Sequence, residues 1–99
     1  MKVNFKVLAI DFTGNPVKIM NKEVCVAEEL EKSLFFYGSS GDNVSGDNKY
    51  KAYKIGRKLS NGDSDYTAEE LAFIKEIAAK TLAAGLYGQI VDLIEGCQR

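Results

Sequence analysis

Residues 67–95 read TAEELAFIKEIAAKTLAAGLYGQIVDLIE, and the fold turns on how this stretch is read. Thr67 and Glu70 stand at capping-box spacing: the threonine oxygen can accept from the Glu70 amide while the glutamate reaches back to the Thr67 amide. From there Leu71, Ile74, Ile77, Ala78 and Leu82 recur at steps of three and four, which is one stripe of a helix. Ala68, Ala72, Ala78, Ala79, Ala83 and Ala84 raise its intrinsic helix propensity. Gly85 and Gly88 lower it, which predicts a break or bend near Ala84 to Leu86. A last helix then runs through Ile90, Val91 and Ile94 and stops at Gly96.

Upstream of the cap, Ser60 to Asp65 reads as a loop feeding Tyr66. Lys49 to Leu59, KYKAYKIGRKL, reads as a short helix with Ala52, Ile55 and Leu59 inward, where Gly56 either weakens the helix or permits close packing. Gly38 to Asp47, GSSGDNVSGD, holds two copies of a Ser-Gly-Asp-Asn turn tetrad, the second completed by Asn48, and reads as a flexible surface loop. Before it, AEELEKSLFFYG favours a helix from Ala27. Leu30, Leu34 and Tyr37 form its stripe and Phe35 widens it. Glu28, Glu29 and Glu31 occupy its first turns, where the helix dipole favours negative charge.

The N-terminal Lys2 to Phe12 alternates. Val3, Phe5, Val7 and Ala9 lie on one side, and Leu8, Ile10 and Phe12 then make the other side apolar too. That pattern predicts a strand entering the core more deeply as it proceeds. Thr13-Gly14-Asn15-Pro16 is a turn, Val17 to Met20 a short return strand, and Asn21-Lys22-Glu23 a second polar break. The predicted architecture is α+β, a small N-terminal antiparallel β-hairpin or sheet packed against three or four helices. One domain covers residues 1–99: a β-rich segment 1–26, a helix 27–37, a flexible loop 38–48, a short basic helix 49–59 and a helical C-terminal part 67–95.

A composition 45% hydrophobic and 27% charged is that of an ordinary soluble globular chain. At 99 residues its core is modest, so oligomerisation is a reasonable route to further burial. No window approaches the roughly 20 apolar residues that span a bilayer, and MKVNFKVLAIDF lacks the continuous apolar run of a signal peptide. The expectation is a cytoplasmic protein whose Cys25 and Cys97 are reduced thiols. There is no histidine, which removes the commonest metal ligand and the commonest general base.

Four patterns could carry function. Lys49, Lys51, Lys54, Arg57 and Lys58 place five cations in ten residues without an acid, leaving −6 on the rest of a chain of net charge −1. Lys51, Lys54, Arg57 and Lys58 with Tyr50 and Tyr53 suit a phosphate backbone with stacked bases. The same residues also suit a solvated face paired to the chain's own acids, and a nucleic-acid binder usually shows a clear positive excess. The Asn61 to Asp65 loop imitates a calcium loop, but Tyr66 and Ala72 stand where an EF-hand needs glycine and glutamate. Asp42 and Asp47 supply few ligands, and no metal site or cofactor is implied. For catalysis, Cys25 and Cys97 lack histidine partners, and Gly85-Leu86-Tyr87-Gly88 lacks the lysine and hydroxyl of a phosphate loop. Finally, Leu86, Tyr87, Ile90, Val91 and Leu93 cover much of the last helix's circumference, so it needs a second surface, either the domain's own sheet or another subunit. Phe36 and Phe73 lie off the core stripes.

The order of these segments resembles a group of small phage- and prophage-encoded proteins of gut and other bacteria. The resemblance lies in the turn Asp11-Phe12-Thr13-Gly14-Asn15-Pro16, an apolar helix, a glycine-containing loop and a Lys/Tyr-rich segment ending in Leu59. It closes with Tyr66 to Glu70, Ile74-Lys75 and Leu86-Tyr87-Gly88-Gln89-Ile90. It carries over no catalytic residue. It implies a soluble intracellular accessory protein acting on phage assembly or on a host protein. The expectation is a non-enzymatic protein-interaction module that self-associates through Leu86, Tyr87, Ile90, Val91 and Leu93. The alternative is a nucleic-acid-binding accessory protein using the Lys49 to Lys58 segment.

Overall fold

The computed structural model describes residues 1–39, 43–62 and 65–97, with Cys97 described by its backbone alone. A short hairpin of two strands, β1 (Lys18–Ile19) and β2 (Lys22–Glu23), is followed by four helices, α1 (Val26–Phe35), α2 (Gly46–Ser60), α3 (Ala68–Thr81) and α4 (Ala84–Cys97). The radius of gyration of 13.2 Å is that of a compact fold, about 13 Å for 100 residues.

The expected strand from Lys2 to Phe12 is not continuous. The Lys6 amide bonds the Asn4 side chain at 3.0 Å and the Val7 amide bonds the Phe5 carbonyl at 2.9 Å, which kinks the chain between Phe5 and Val7. Beyond the kink three backbone segments close a ring. Ala9 N–H donates to the Val24 carbonyl at 2.7 Å, Val24 N–H to the Val17 carbonyl at 3.1 Å, and Val17 N–H to the Ala9 carbonyl at 2.9 Å. Each of the three residues thereby uses both of its backbone groups, so at this level none presents an open edge.

Two turns border the ring. At Thr13 to Pro16 the Asp11 carboxylate accepts from the Thr13 amide, the Thr13 hydroxyl and the Asn15 amide at 2.9, 2.6 and 3.0 Å. Gly14 there takes φ +90°, which needs a residue without Cβ. The regular strand pair lies one segment later than the sequence implies. Lys18 pairs with Glu23 and Ile19 with Lys22, and Met20 and Asn21 form the two-residue loop at φ +53° and +66°. Two positive φ values are what a type I′ hairpin turn needs. Methionine is not a turn-forming residue, so Lys22 and Glu23 read as a polar break rather than a strand.

The core draws on the N-terminal segment and all four helices, with Val24 joining from the residue after β2. Val3, Phe5, Ala9 and Val24 meet Leu30 and Leu34 of α1, Ala52, Ile55 and Leu59 of α2, Leu71, Ile74, Ile77 and Ala78 of α3, and Ile90 and Ile94 of α4. The inward sets expected for α2 and α3 are those found, except that Leu82 is half-buried. Phe73, off the expected stripe, is buried and packs edge-on against Tyr37 at 5.7 Å. Phe35 does not widen the α1 stripe and is 81% exposed. It follows Leu34 by one position, about 100° around the helix, and so leaves the buried face.

Helix ends follow local chemistry. α2 begins three residues before the expected Lys49 because the Ser45 hydroxyl accepts from the Asn48 amide at 3.1 Å. The second Ser-Gly-Asp-Asn tetrad is thus an N-cap and first turn, and Asp47 sits where the dipole favours an acid. The rest of the expected loop includes residues 40–42, outside the described residues. The α3 capping box forms as read: Glu70 N–H donates to Thr67 Oγ1 at 3.1 Å and Thr67 N–H to Glu70 Oε1 at 2.8 Å. The break after α3 comes at Leu82, which is extended at φ −108° and ψ 151°. α4 therefore starts at Ala84 and runs through both glycines.

Candidate interaction surfaces

The basic segment divides into two unlike faces. On one face Lys51 pairs with Glu69 at 3.0 Å and lies 5.2 Å from the Phe73 ring centroid. Lys58 pairs with Glu70 at 2.9 Å and lies 5.1 Å over the Tyr66 ring, which meets Phe5 edge-on at 5.6 Å. These two lysines fasten α2 to α3. Partial burial pushes the Glu70 carboxyl up, but the Thr67 amide and the Lys58 ammonium outweigh it and leave the group below its ordinary value. On the other face the Tyr50 and Tyr53 rings stack at 6.0 Å and 19°, with Lys54 5.0 Å over Tyr50 and Arg57 5.8 Å over Tyr53. Among the described residues no carboxylate pairs with Lys54 or Arg57. A groove of about 500 Å³ runs beside this face, between α1 and α2, with Leu34, Ala52 and Gly56 in its floor and Phe35, Tyr53 and Arg57 in its walls.

Of the contact set expected on α4, Leu86, Tyr87, Val91 and Leu93 are half-buried and one residue is not. Ile90 is fully buried, and Leu86, Tyr87 and Leu93 pack against the domain's own core; Val91 is half-buried. The apolar spread of this helix is thus covered in part by the domain itself, α3 packing beside it. Gln89 fastens that segment to α4, with its side-chain amide bonded to Leu8 and Ile10. Ile90 is therefore a core residue and not a contact.

The apolar surface lies elsewhere. Leu8, Ile10, Phe12, Ile19 and Met20 stand exposed around the hairpin, Phe12 at 95% and Met20 at 93%. The second apolar set, Leu8, Ile10 and Phe12, predicts deeper burial from its pattern. The kink at Lys6 and the ring at Ala9 leave it outside instead. Beside these residues an apolar groove of about 380 Å³ separates the hairpin from the α3–α4 junction; Ile10, Phe12, Val17, Ile19, Ala83 and Leu86 line it. Asp11 anchors the loop that presents Phe12. The hydrogen bond from the Thr13 hydroxyl, with those from nearby amides, holds its carboxyl below the ordinary value.

Other candidates resolve into structural roles. Glu28 and Glu29 lie in the first turn of α1, and Glu29 sits 3.8 Å from Lys32. Among the described residues no three acids or cysteines gather to hold a metal ion. Asp42, Asp63 and the Cys97 side chain lie outside the described residues, and Cys25 is a half-buried free thiol before α1. Among the described residues no helix is long and apolar enough to cross a membrane. No family model, curated protein or solved structure matches the chain.

Proposed function

We propose that this chain is a non-enzymatic interaction module that pairs with a second copy of itself through the hairpin face, as an accessory protein of a phage or prophage. The carrying observation is the 95% exposure of Phe12 on a hydrogen-bonded loop, at the rim of an apolar groove of about 380 Å³. Knob and groove occupy the same face, which is what a two-fold self-pairing requires, since each copy must offer both halves of every contact. Asp11 and Glu29 are the charged residues lining the groove, so it has no cation with which to recruit an acidic partner. Of the contact set expected on α4, Leu86 remains in the proposed surface. Sedimentation of the full chain across a concentration series tests the reading. The expected result is a monomer–dimer equilibrium abolished by Phe12→Asp, with thermal stability unchanged at dilutions where the wild type is monomeric. A wild-type monomer at about 100 µM, weaker than about −5.5 kcal/mol of association, would refute it.

A further inference from the structure

We infer that the α1–α2 face is a short binding site for single-stranded nucleic acid, separate from the hairpin face. Four aromatic rings stand exposed there, Phe35 at 81%, Phe36 at 61%, Tyr50 at 59% and Tyr53 at 54%. Phe35 and Phe36 meet edge-on at 5.0 Å, whereas Tyr50 and Tyr53 lie nearly parallel. Water gains nothing from such rings, but unstacked bases do, because every base presents a π face. The cations are arranged to match. Lys54 and Arg57 follow Tyr50 and Tyr53 by four residues each, so ring and charge repeat together along one helix face. Lys49 stands on the rim of the adjoining groove. None of these three pairs with a described carboxylate, unlike Lys51 and Lys58.

The groove orders the ligand. Glu31 on the α1 rim repels phosphate, so the strand's backbone lies along α2 and its bases turn across the groove towards Phe35. The floor at Gly56 stays open because that residue has no side chain; the nearest atom to a Cβ placed there is on Leu34 at 3.7 Å. Flat walls of aromatic rings favour bases over the branched aliphatic side chains of a docked peptide. A duplex keeps its bases stacked and would leave the rings unused.

The test is fluorescence anisotropy with the full chain and a labelled oligothymidylate or oligouridylate of about ten nucleotides, titrated at several salt concentrations. Three cations predict a log–log salt slope of about −2. Arg57→Ala and Lys54→Ala each flatten that slope by about 0.7, while Lys51→Ala and Lys58→Ala leave it unchanged. Tyr53→Ala and Phe35→Ala weaken binding about tenfold or more without changing the slope. The matched duplex binds at least about tenfold more weakly. Absence of binding at low salt overturns the inference. So does equal affinity for the duplex, indifference to Tyr53→Ala and Phe35→Ala, or a polyglutamate peptide binding as tightly as the oligonucleotide, which would assign the face to acidic peptides.

Discussion

Gln89 accepts the Ile10 amide proton through its Oε1 at 3.1 Å. Its Nε2 donates to the Leu8 carbonyl at 2.9 Å, so one side-chain amide serves the N-terminal segment as a neighbouring strand would. It caps a stretch of edge and ties the N-terminal segment to α4. Both backbone groups are near solvent, so Gln89→Ala should cost only about 1 kcal/mol, a fall in Tm of about 4–8 °C. Amide exchange should accelerate at Ile10 and not at Ile77. Unchanged exchange at Ile10 would mean that the N-terminal segment holds its place without α4.

The α3 cap carries a second prediction. Thr67→Ala removes the acceptor for the Glu70 amide and should cost about 1 kcal/mol, read by urea unfolding. Thr67→Ser keeps the acceptor and should lie within a few tenths of wild type.

Acid should destabilise the protein through Asp11 and Glu70. Both carboxyls titrate below their ordinary values of 3.8 and 4.5 in the folded chain. A group lowered by folding contributes stability that is complete above its ordinary value and is lost as pH falls through the folded one. With no histidine in the chain, Tm should be nearly flat from about pH 8 to 5 and fall below about pH 4.5. Glu70→Gln should lower the plateau and reduce that fall. An equally steep fall in the variant would remove Glu70 from the account.

The Met20-Asn21 turn offers a gain in stability. An L-residue other than glycine, asparagine or aspartate at positive φ is strained by about 1–2 kcal/mol, and Met20 sits at +53° with its side chain 93% exposed. Replacing Met20-Asn21 by Asn-Gly should stabilise the monomer by about 1 kcal/mol, measured by thermal unfolding. A loss of stability would mean that Met20 makes an interaction worth more than the strain.

These positions also show which parts of the structure the sequence made legible. Helical stripes survive because their period is local: Ile55 and Leu59, or Ile74 and Ile77, fall inward wherever the helix is placed. Caps survive for the same reason, as Thr67 and Glu70 need only each other. Ser45 carried the same kind of signal, but two turn-like tetrads in a glycine-rich run masked it. The N-terminal segment failed because its burial is decided at a distance. Alternation cannot say which of two apolar sides faces the core when a kink at Lys6 and a ring closed by Val17 and Val24 choose between them. The candidate surfaces shifted likewise. Lys51 and Lys58 looked the same as Lys54 and Arg57 until α3 brought Glu69 and Glu70 beside the first two. Ile90 looked available, yet it lies fully buried in the core cluster.

The most direct test of the account is a dilution series of ¹⁵N-labelled protein followed by amide chemical shifts. Self-pairing through the hairpin face predicts concentration-dependent shifts confined to Ile10 to Gly14, Val17 to Asn21 and Ala83 to Leu86. Val91, Leu93 and the α2 amides should stay fixed. Spectra that do not change with concentration, or changes centred on Val91 and Leu93, would contradict it.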